Sequence, residues 1–355
     1  MSLAQLLLQR KRDKDQEYTL HLFEKCNLSC GFCWQDHTAM EGVDTVRDKA
    51  AVTIELMSKD HHDSFTVNVM GGELFDDSIF DDRLFNDYVN LCLDIHTYVV
   101  SVGKSVQFNL VSNLVTDQPH RVEALIHSMT ALGMVVSLTT SYDVKGRFNR
   151  YQLEVFKSNI EYLRPHIACI SMLLTKPVIK NIIAGRDLYF DYLYREGFYI
   201  YFDYYSPAED HMVMMPSDKD LLRAFYYLID NYPNVHPIKD WMQNNSNNMS
   251  CRTSKLVLAD GTTCLCGNLI ADNTHVIQFF KSKIERDDND GMENTFLNTW
   301  DCINCEYFER CTLGCFTQHD FVKRGQLAEC PFKLTFDKIV KGKLVDIDAL
   351  NTTFG

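Results

Sequence analysis

The run Cys26-Asn27-Leu28-Ser29-Cys30-Gly31-Phe32-Cys33 gathers three cysteines on one short stretch of chain, spaced four and then three residues apart. Thiolates are the usual protein ligands of iron–sulfur clusters, and a cubane cluster has four irons to be ligated. Three thiolates on one loop therefore predict a cluster whose fourth iron has no protein ligand and is open to a small molecule. A zinc knuckle is the alternative, with His37 as the local candidate for a fourth ligand.

This CxxxCxxC spacing, with the aromatic Phe32 before the last cysteine, resembles the cluster loop of the radical S-adenosylmethionine (radical SAM) superfamily. The resemblance implies that Cys26, Cys30 and Cys33 hold a [4Fe-4S] cluster and that SAM chelates its open iron. An electron from the cluster would then cleave SAM to a 5′-deoxyadenosyl radical. Phe32 is expected to pack against the adenine or against the wall of the cluster site.

The segment Met70-Gly71-Gly72-Glu73 follows a predicted strand and resembles the GGE motif of the same superfamily. Glycines let a backbone come close to a ligand, and the Glu73 carboxylate can accept a hydrogen bond from the SAM ammonium group. Ser112 and Asn113 end the third predicted strand, where radical SAM enzymes have polar contacts to SAM. Three similar candidates lie at the end of the fourth predicted strand: Ser137, Thr139 and Ser141.

Length and composition predict a soluble globular protein of about two domains, because the chain has 355 residues, 46% of them hydrophobic and 23% charged. A net charge of −13 argues against tight binding to a long nucleic acid, although Arg10, Lys11, Arg12 and Lys14 could supply a small basic strip. The apolar run before that strip is too short for a signal peptide or a membrane span. Thirteen cysteines without an export signal indicate reduced metal ligands and a cytoplasmic location, which would be the host cytoplasm for a phage-encoded protein.

Short β-rich runs alternate with amphipathic segments between residues 18 and 205, which favours parallel βαβ units. The predicted strands are Tyr18–Phe23, Phe65–Met70, Val106–Val111, Met134–Thr139, Ala168–Leu174 and Tyr199–Asp203. The predicted helices are 44–58, 80–101, 118–132, 149–164 and 181–195. The pattern predicts an α/β fold and resembles the partial (β/α)6 barrel of radical SAM enzymes, with the cluster loop directly after the first strand.

A second cysteine field begins at Cys251. Its members are Cys251, Cys264, Cys266, Cys302, Cys305, Cys311, Cys315 and Cys330. Without Cys264, this pattern is similar to the seven-cysteine pattern of the SPASM domain, which implies two auxiliary clusters. The second would take Cys302, Cys305, Cys311 and Cys330.

The first auxiliary cluster would take Cys251, Cys266 and Cys315, with Asp260-Gly261 turning a hairpin between the first two. Position 245 is Asn and no cysteine lies near it, so either Cys264 fills the gap or one iron stays open to substrate. Cys264 and Cys266 alternate on a strand and should face opposite ways unless the strand is bulged. A zinc ribbon of the four cysteines from 302 to 315 is the alternative. Cys92 and Cys169 are interpreted as inert core residues.

The predicted organisation has five parts: an N-terminal extension over 1–17, a radical SAM core over 18–235, a bridge over 236–250, a SPASM domain over 251–335 and a tail over 336–355. Asp203 and Tyr204 end the sixth predicted strand and are the candidate catalytic residues for contacting substrate or relaying a proton.

The resemblance implies an enzyme that takes electrons from an external donor of the flavodoxin or ferredoxin type. A peptide or protein side chain is the expected substrate. The alternatives are an isomerase or modifying enzyme for an amino-acid-bearing nucleobase of phage-type DNA, and a non-catalytic iron–sulfur electron carrier. In one SPASM subgroup, the anaerobic sulfatase-maturing enzymes, a catalytic Asp follows the cysteine that matches Cys266, and here that position is Gly267. No membrane partner is expected.

Overall fold

The computed structural model describes residues 16–33, 35–143, 146–205, 211–244, 254–264, 302–308, 310–311 and 327–351. Its main sheet contains six parallel strands in chain order. They are β1 (Gln16–His21), β2 (Ser64–Met70), β3 (Ser105–Ser112), β4 (Val135–Ser141), β5 (Ile167–Leu173) and β6 (Ile200–Asp203). Each predicted strand is therefore present, with its limits shifted by one or two residues. The predicted α/β fold with six βα units is confirmed.

In the described part of the chain, six α-helices lie between consecutive strands of this sheet, and three more follow β6. They are α1 (Lys49–Ser58), α2 (Asp82–Ser101), α3 (Pro119–Ala131), α4 (Arg150–Tyr162), α5 (Lys176–Ile183), α6 (Leu188–Arg195), α7 (Asp218–Asn231), α8 (Ile238–Gln243) and α9 (Pro331–Lys341). None of the helices in the described ranges combines the length and the apolarity needed to cross a membrane.

The prediction of one helix over 181–195 is wrong, because the chain breaks there into α5 and α6. Gly185 has a φ of +61°, a left-handed conformation that ends a helix readily when the residue has no Cβ. The Asp187 side chain then accepts a hydrogen bond from the amide of Phe190, which caps the start of α6. The first of the two helices begins at Lys176, five residues earlier than predicted.

The six strands have two chemically different faces. The residues that point toward the helices are apolar and buried, as for Leu20, Val67 and Phe108. The alternate residues point inward and are mostly polar, as for Glu17 and Asn109. We call this second surface the inner face.

The inner face is curled into a partial barrel. Strands lie about 4.8 Å apart, so in a flat sheet β1 and β6 would be separated by roughly 24 Å. Yet the charge of Asp203 on β6 acts on the carboxyl group of Glu17 on β1. The first and last strands of the barrel therefore face each other across a common interior.

Two further strands extend the sheet beyond β1. Strand β7 (Ser254–Val257) runs parallel to β1, and β8 (Thr263–Cys264) pairs antiparallel with β7. The predicted turn between them is present: Gly261 has a φ of +81°, and Asp260 Oδ1 accepts a hydrogen bond from the Thr262 amide at 2.9 Å. The chain thus returns to the edge of the barrel sheet after the bridge.

Helix α9 packs against α7 and α8 through aromatic side chains. The ring of Phe332 lies 5.7 Å from that of Phe225 and 5.9 Å from that of Trp241, and Phe336 lies 5.5 Å from Trp241. Residue 335, where the second domain was predicted to end, falls inside this helix.

Candidate cluster and cofactor site

The loop that carries Cys26, Cys30 and Cys33 leaves the carboxyl end of β1 and is held by backbone hydrogen bonds. The Cys26 amide donates to the His37 carbonyl at 3.0 Å, and the Gly31 amide donates to the Gly146 carbonyl at 2.9 Å. None of the three cysteines forms a disulfide. Three reduced thiols are thus fixed at the edge of the barrel.

Cys30 is buried, Cys26 and Cys33 are half-buried, and the three thiols are close enough to influence one another. Burial raises the pKa of Cys26 to about 12, and the charges of Glu73, Cys30 and Cys33 add to the effect. Burial also raises the pKa of Cys30. The raised pKa values favour the protonated thiols. The iron ions of a bound cluster would reverse this preference and hold all three as thiolates. The donor set therefore fits an iron–sulfur cluster.

The spacing of the thiols argues against a single zinc ion. Zinc–thiolate bonds of about 2.3 Å would bring tetrahedral ligand atoms to about 3.8 Å from one another. Within the described ranges, no three of Cys26, Cys30, Cys33 and His37 have ligand atoms that all lie within 4.8 Å of one another. A wider set suits a cluster in which each thiolate binds its own iron.

The glycines of the Gly71-Gly72-Glu73 segment let it touch the cluster loop. A Cβ on Gly72 would lie 2.1 Å from the carbonyl oxygen of Glu24 and 2.2 Å from that of Lys25. The Gly72 amide donates to Phe23 O at 2.6 Å, and the Glu73 amide donates to Lys25 O at 2.9 Å. The segment approaches backbone rather than open space, which explains why position 72 cannot carry a side chain.

Glu73 is 2% exposed, and its carboxylate organises the end of β3. Its Oε1 accepts from Ser112 Oγ at 2.6 Å and from the Phe75 amide at 2.9 Å, while Oε2 accepts from the Asn113 amide at 2.6 Å. Burial raises the pKa of Glu73 to about 7 against these hydrogen bonds. Since a carboxylate has about four acceptor positions, one remains for a ligand.

The same network reaches the cluster loop through Asn113. Asn113 Nδ2 lies 3.8 Å from Cys26 Sγ and donates to Asn27 Oδ1 at 2.9 Å. The structure therefore brings together Glu73, Ser112, Asn113 and the cluster loop, which the sequence places up to 87 residues apart. Asn27 joins this group although no motif marked it.

Arg147 and Asp143 form a second support that the sequence did not reveal. The Arg147 guanidinium lies over the ring of Phe32, 5.1 Å from its centre, and bonds the buried Asp143 carboxylate at 2.9 Å. Its charge lowers the pKa of Cys30 against the larger effect of burial. Phe32 is 8% exposed, so its ring is covered by protein atoms on most sides. No local signal marks the pair, because Asp143 and Arg147 are not on a helix, where i, i+4 spacing would bring two side chains together.

The two candidate catalytic residues point in different directions. Asp203 is on the inner face and exposed to solvent, yet protein atoms surround it closely enough to raise its pKa by desolvation. The Tyr204 ring instead packs edge-on against Phe332, 5.7 Å between ring centres. Only Asp203 of this pair is accessible from the barrel interior.

The interpretation of Cys169 as a core residue is wrong, whereas Cys92 is completely buried on α2. Cys169 lies on the inner face because its neighbour Ile170 takes the buried position of β5. Burial and the nearby charge of Asp203 raise its pKa to about 12.

Four cysteines of the second field are near α9. Cys302, Cys305 and Cys311 lie on a segment whose Tyr307 donates a hydrogen bond to Asp337 at 2.6 Å, and Cys330 directly precedes the helix. Burial raises the pKa of Cys330 to about 11, and the charge of Cys305 adds to the effect. No three of the four thiols are gathered within 4.8 Å in this described part of the chain. This spacing is again wider than a zinc ion requires.

The other predicted ligands lie at or beyond the limits of the described residues. Cys251, Cys266 and Cys315 are outside them, and Gly267 is as well. Cys264 ends β8, where it pairs with Leu256.

No protein-family model matches the chain, and no curated protein sequence matches it. Solved structures do match. Two structures of anSMEcpe, an anaerobic sulfatase-maturating enzyme, each have bound AdoMet and 14% sequence identity to this chain. The superpositions cover 92% of this chain and 97% of the other, with TM-scores of 0.64 for the histidine-tagged form and 0.62 for the native form. The chain has the radical SAM fold. In this radical SAM fold the cysteine loop and the Gly71-Gly72-Glu73 segment follow neighbouring strands, β1 and β2, at one edge of the sheet.

Proposed function

We propose that this chain is a radical SAM enzyme with auxiliary iron–sulfur clusters, and that it modifies a peptide or protein side chain. The observation that carries the proposal is the hydrogen-bond network from Glu73 through Asn113 to the Sγ of Cys26. This network joins the residues expected to bind SAM to the residues expected to bind the cluster. A non-catalytic electron carrier would need the cysteine thiols but not the residues expected to bind SAM.

A [4Fe-4S] cluster bound by Cys26, Cys30 and Cys33 would supply the electron that cleaves SAM to a 5′-deoxyadenosyl radical, which takes a hydrogen atom from the substrate. The protein's part is to hold and orient the reactants. The free acceptor position of Glu73 suits the SAM ammonium group, and the Asn113 side chain donates toward Cys26 Sγ, a contact that tunes a cluster. Phe32 and the Arg147–Asp143 pair brace the loop.

The second cysteine field supports the proposal of auxiliary clusters. Cys302, Cys305, Cys311 and Cys330 are the proposed ligands of one cluster, and Cys251, Cys266 and Cys315, with or without Cys264, of the other. Such clusters would accept or relay an electron, and a flavodoxin- or ferredoxin-type protein would supply electrons from outside. Because Gly267 stands where sulfatase-maturing enzymes have their catalytic Asp, we propose a reaction different from theirs.

Anaerobic reconstitution followed by iron analysis and electron paramagnetic resonance (EPR) tests this proposal. Three cubane clusters correspond to about twelve irons per chain. Adding SAM should change the EPR signal of one reduced cluster, and that change should vanish when Cys26, Cys30 and Cys33 are all replaced by Ala. Cys92→Ala is the matched control, since Cys92 is a buried cysteine of α2 that belongs to none of the motifs, and this variant should keep the response to SAM. Bound zinc in place of iron, or an EPR signal that does not change when SAM is added, would contradict the proposal.

A further inference from the structure

Two imidazoles and a carboxylate meet on the helical side of the barrel, between α3 and the segment that leads into β5. Glu123 and His127 are four residues apart on α3 and therefore share one face of the helix. His166 ends the short 3-10 helix that directly precedes β5. One ligand atom from each of these three side chains lies within 4.8 Å of the other two. We call Glu123, His127 and His166 the α3 cluster.

The distances within the α3 cluster fit a shared metal ion better than direct hydrogen bonding. Glu123 Oε1 and His166 Nε2 are 3.7 Å apart, which is too long for a hydrogen bond. Two ligand atoms of a tetrahedral zinc ion, each bound at about 2.0–2.1 Å, lie about 3.3 Å from each other. The rings of His127 and His166 are inclined at 76°, with their centres 5.3 Å apart, so the imidazoles do not stack face to face. A shift of about 0.4 Å between the carboxylate and His166 would therefore reach coordination geometry.

The Glu123 carboxylate is held in place by a neighbour, as the ligands of metal sites ordinarily are. Tyr162, the last residue of α4, donates its hydroxyl to Glu123 Oε2 at 2.7 Å, and the other oxygen, Oε1, is the one near His166. Hydrogen bonds of this kind orient a ligand before the metal binds. Arg164 lies two residues before His166 but donates to Glu196 at 3.0 Å. Within the described ranges, no lysine or arginine pairs with Glu123 and competes with a metal ion.

A second cluster of the same residue types lacks this property. Asp60, His61 and His62 also have ligand atoms within 4.8 Å of one another. Lys255 Nζ, however, donates to Asp60 Oδ2 at 2.9 Å, and the His62 amide donates to Asp60 Oδ1 at 3.1 Å. The ammonium group already neutralises this carboxylate and would repel a metal cation. The comparison leaves the α3 cluster as the better metal site.

We propose that the α3 cluster binds one zinc ion through Glu123 Oε1 and one nitrogen of each imidazole. Calcium and magnesium take oxygen ligands, whereas two imidazoles and a carboxylate suit zinc. Because His127 is exposed, water can take the fourth position.

The proposed zinc site is remote from the cysteine loop. His166 directly precedes the amino end of β5, whereas the cysteine loop follows the carboxyl end of β1. Because the strands are parallel, these two places lie at opposite edges of the sheet. The zinc would clamp α3 to the connection between α4 and β5 and take no part in SAM cleavage. The inference therefore goes beyond the proposed function and does not depend on it.

Equilibrium dialysis of the anaerobic, cluster-loaded protein against zinc, followed by metal analysis, tests the proposal. His127→Gln and His166→Gln each remove one proposed ligand. His120→Gln is the matched control, because His120 is an exposed histidine of the same helix outside the α3 cluster. X-ray absorption at the zinc edge identifies the bound atoms, since zinc lies about 2.0–2.1 Å from nitrogen and oxygen ligands but about 2.3 Å from sulfur.

We expect the wild-type protein to bind one zinc ion per chain in addition to its iron, with nitrogen and oxygen ligands only. His127→Gln and His166→Gln should each weaken zinc binding by at least about tenfold, because even residues that only orient a ligand contribute about 10- to 100-fold. His120→Gln should bind zinc as the wild-type protein does. Free zinc at about one hundred times the dissociation constant should raise the thermal midpoint of the wild-type protein by at least about 5 °C, and that of the two ligand variants by about half as much or less.

A wild-type protein that takes up no zinc beside its iron would overturn the inference, as would equal zinc affinity in His127→Gln and the wild-type protein. Sulfur at about 2.3 Å from the zinc would also overturn it, because the zinc would then be bound by cysteines. The substituted side chains are exposed or half-buried, so the variants should keep the wild-type iron content. Failure of the proposed function is distinguishable, since it would abolish the response of the EPR signal to SAM and leave zinc binding unchanged.

Discussion

Replacing Gly72 by Ala should displace the cluster loop, because the new Cβ would overlap two backbone carbonyls. It would lie 2.1 Å from Glu24 O and 2.2 Å from Lys25 O, whereas real Cβ atoms do not come within 3.0 Å of such atoms. Neither carbonyl can rotate away as a flexible side chain would. The loop would have to move away by most of the difference between these distances and 3.0 Å. This movement would break the hydrogen bonds from Gly72 N to Phe23 O and from Glu73 N to Lys25 O.

The expected loss of stability follows from these contacts. Overpacking costs about 1–3 kcal/mol, and two backbone hydrogen bonds add about 1–3 kcal/mol. Gly72→Ala should therefore lose about 2–6 kcal/mol. At about 2–4 °C for each kcal/mol in a large domain, the thermal midpoint should fall by at least about 4 °C.

Gly31→Ala is the matched control because it lies in the same loop. A Cβ there would meet no atom within 4 Å, and its backbone has no positive φ. We expect a change within about 0.5 kcal/mol. Differential scanning calorimetry of the iron-free proteins makes the comparison. A wild-type midpoint for Gly72→Ala, or an equal loss for Gly31→Ala, would refute this account of the loop.

Three further predictions concern the groups around the loop. The pKa of Glu73 is about 7 in the folded protein and about 4.5 ordinarily, so the folded state binds a proton that the unfolded state has lost. The free energy of unfolding should therefore fall by up to about 3 kcal/mol as the pH rises from 4.5 to 7. Denaturation across this pH range should show a smaller fall for Glu73→Gln, and an identical slope in the variant and the wild-type protein would contradict the raised pKa of Glu73. Arg147→Leu should destabilise the chain by about 3–5 kcal/mol because it leaves Asp143 buried without its partner, and the double variant with Asp143→Leu should recover much of the loss in the same melting experiment. Asn113→Ala removes a donor to Cys26 Sγ and should lower the midpoint potential of the SAM-binding cluster in an EPR redox titration; an unchanged potential would show that the contact does not tune it.

The barrel was predictable from sequence because each strand is a local signal. Alternation of apolar residues, as in Phe65–Met70, requires no knowledge of the rest of the chain. Because the cysteine loop comes directly after the first strand in the sequence, its place at the carboxyl end of that strand was predictable as well. The break between α5 and α6 was missed because residues 181–195 keep helical periodicity across Gly185, where only the left-handed backbone reveals the end.

Long-range contacts account for what the sequence did not predict. The Asn68–Glu17 and Asn109–Asn68 bonds join residues 51 and 41 positions apart, and their partners depend on strand register. A signal did exist: polar residues recur at alternate positions of β1 to β4, such as Glu17 and Asn109. Ser137 and Thr139 belong to this pattern: they were expected at the end of the fourth strand and lie inside it.

The most direct test of the account is the formation of 5′-deoxyadenosine. Anaerobically reconstituted protein is mixed with SAM and dithionite, and the product is quantified by chromatography and mass spectrometry. We expect the wild-type protein and Cys92→Ala to form 5′-deoxyadenosine and the variant without Cys26, Cys30 and Cys33 to form none. Equal amounts from the triple variant and the wild-type protein, or none from a wild-type protein with its full iron content, would contradict the central claim.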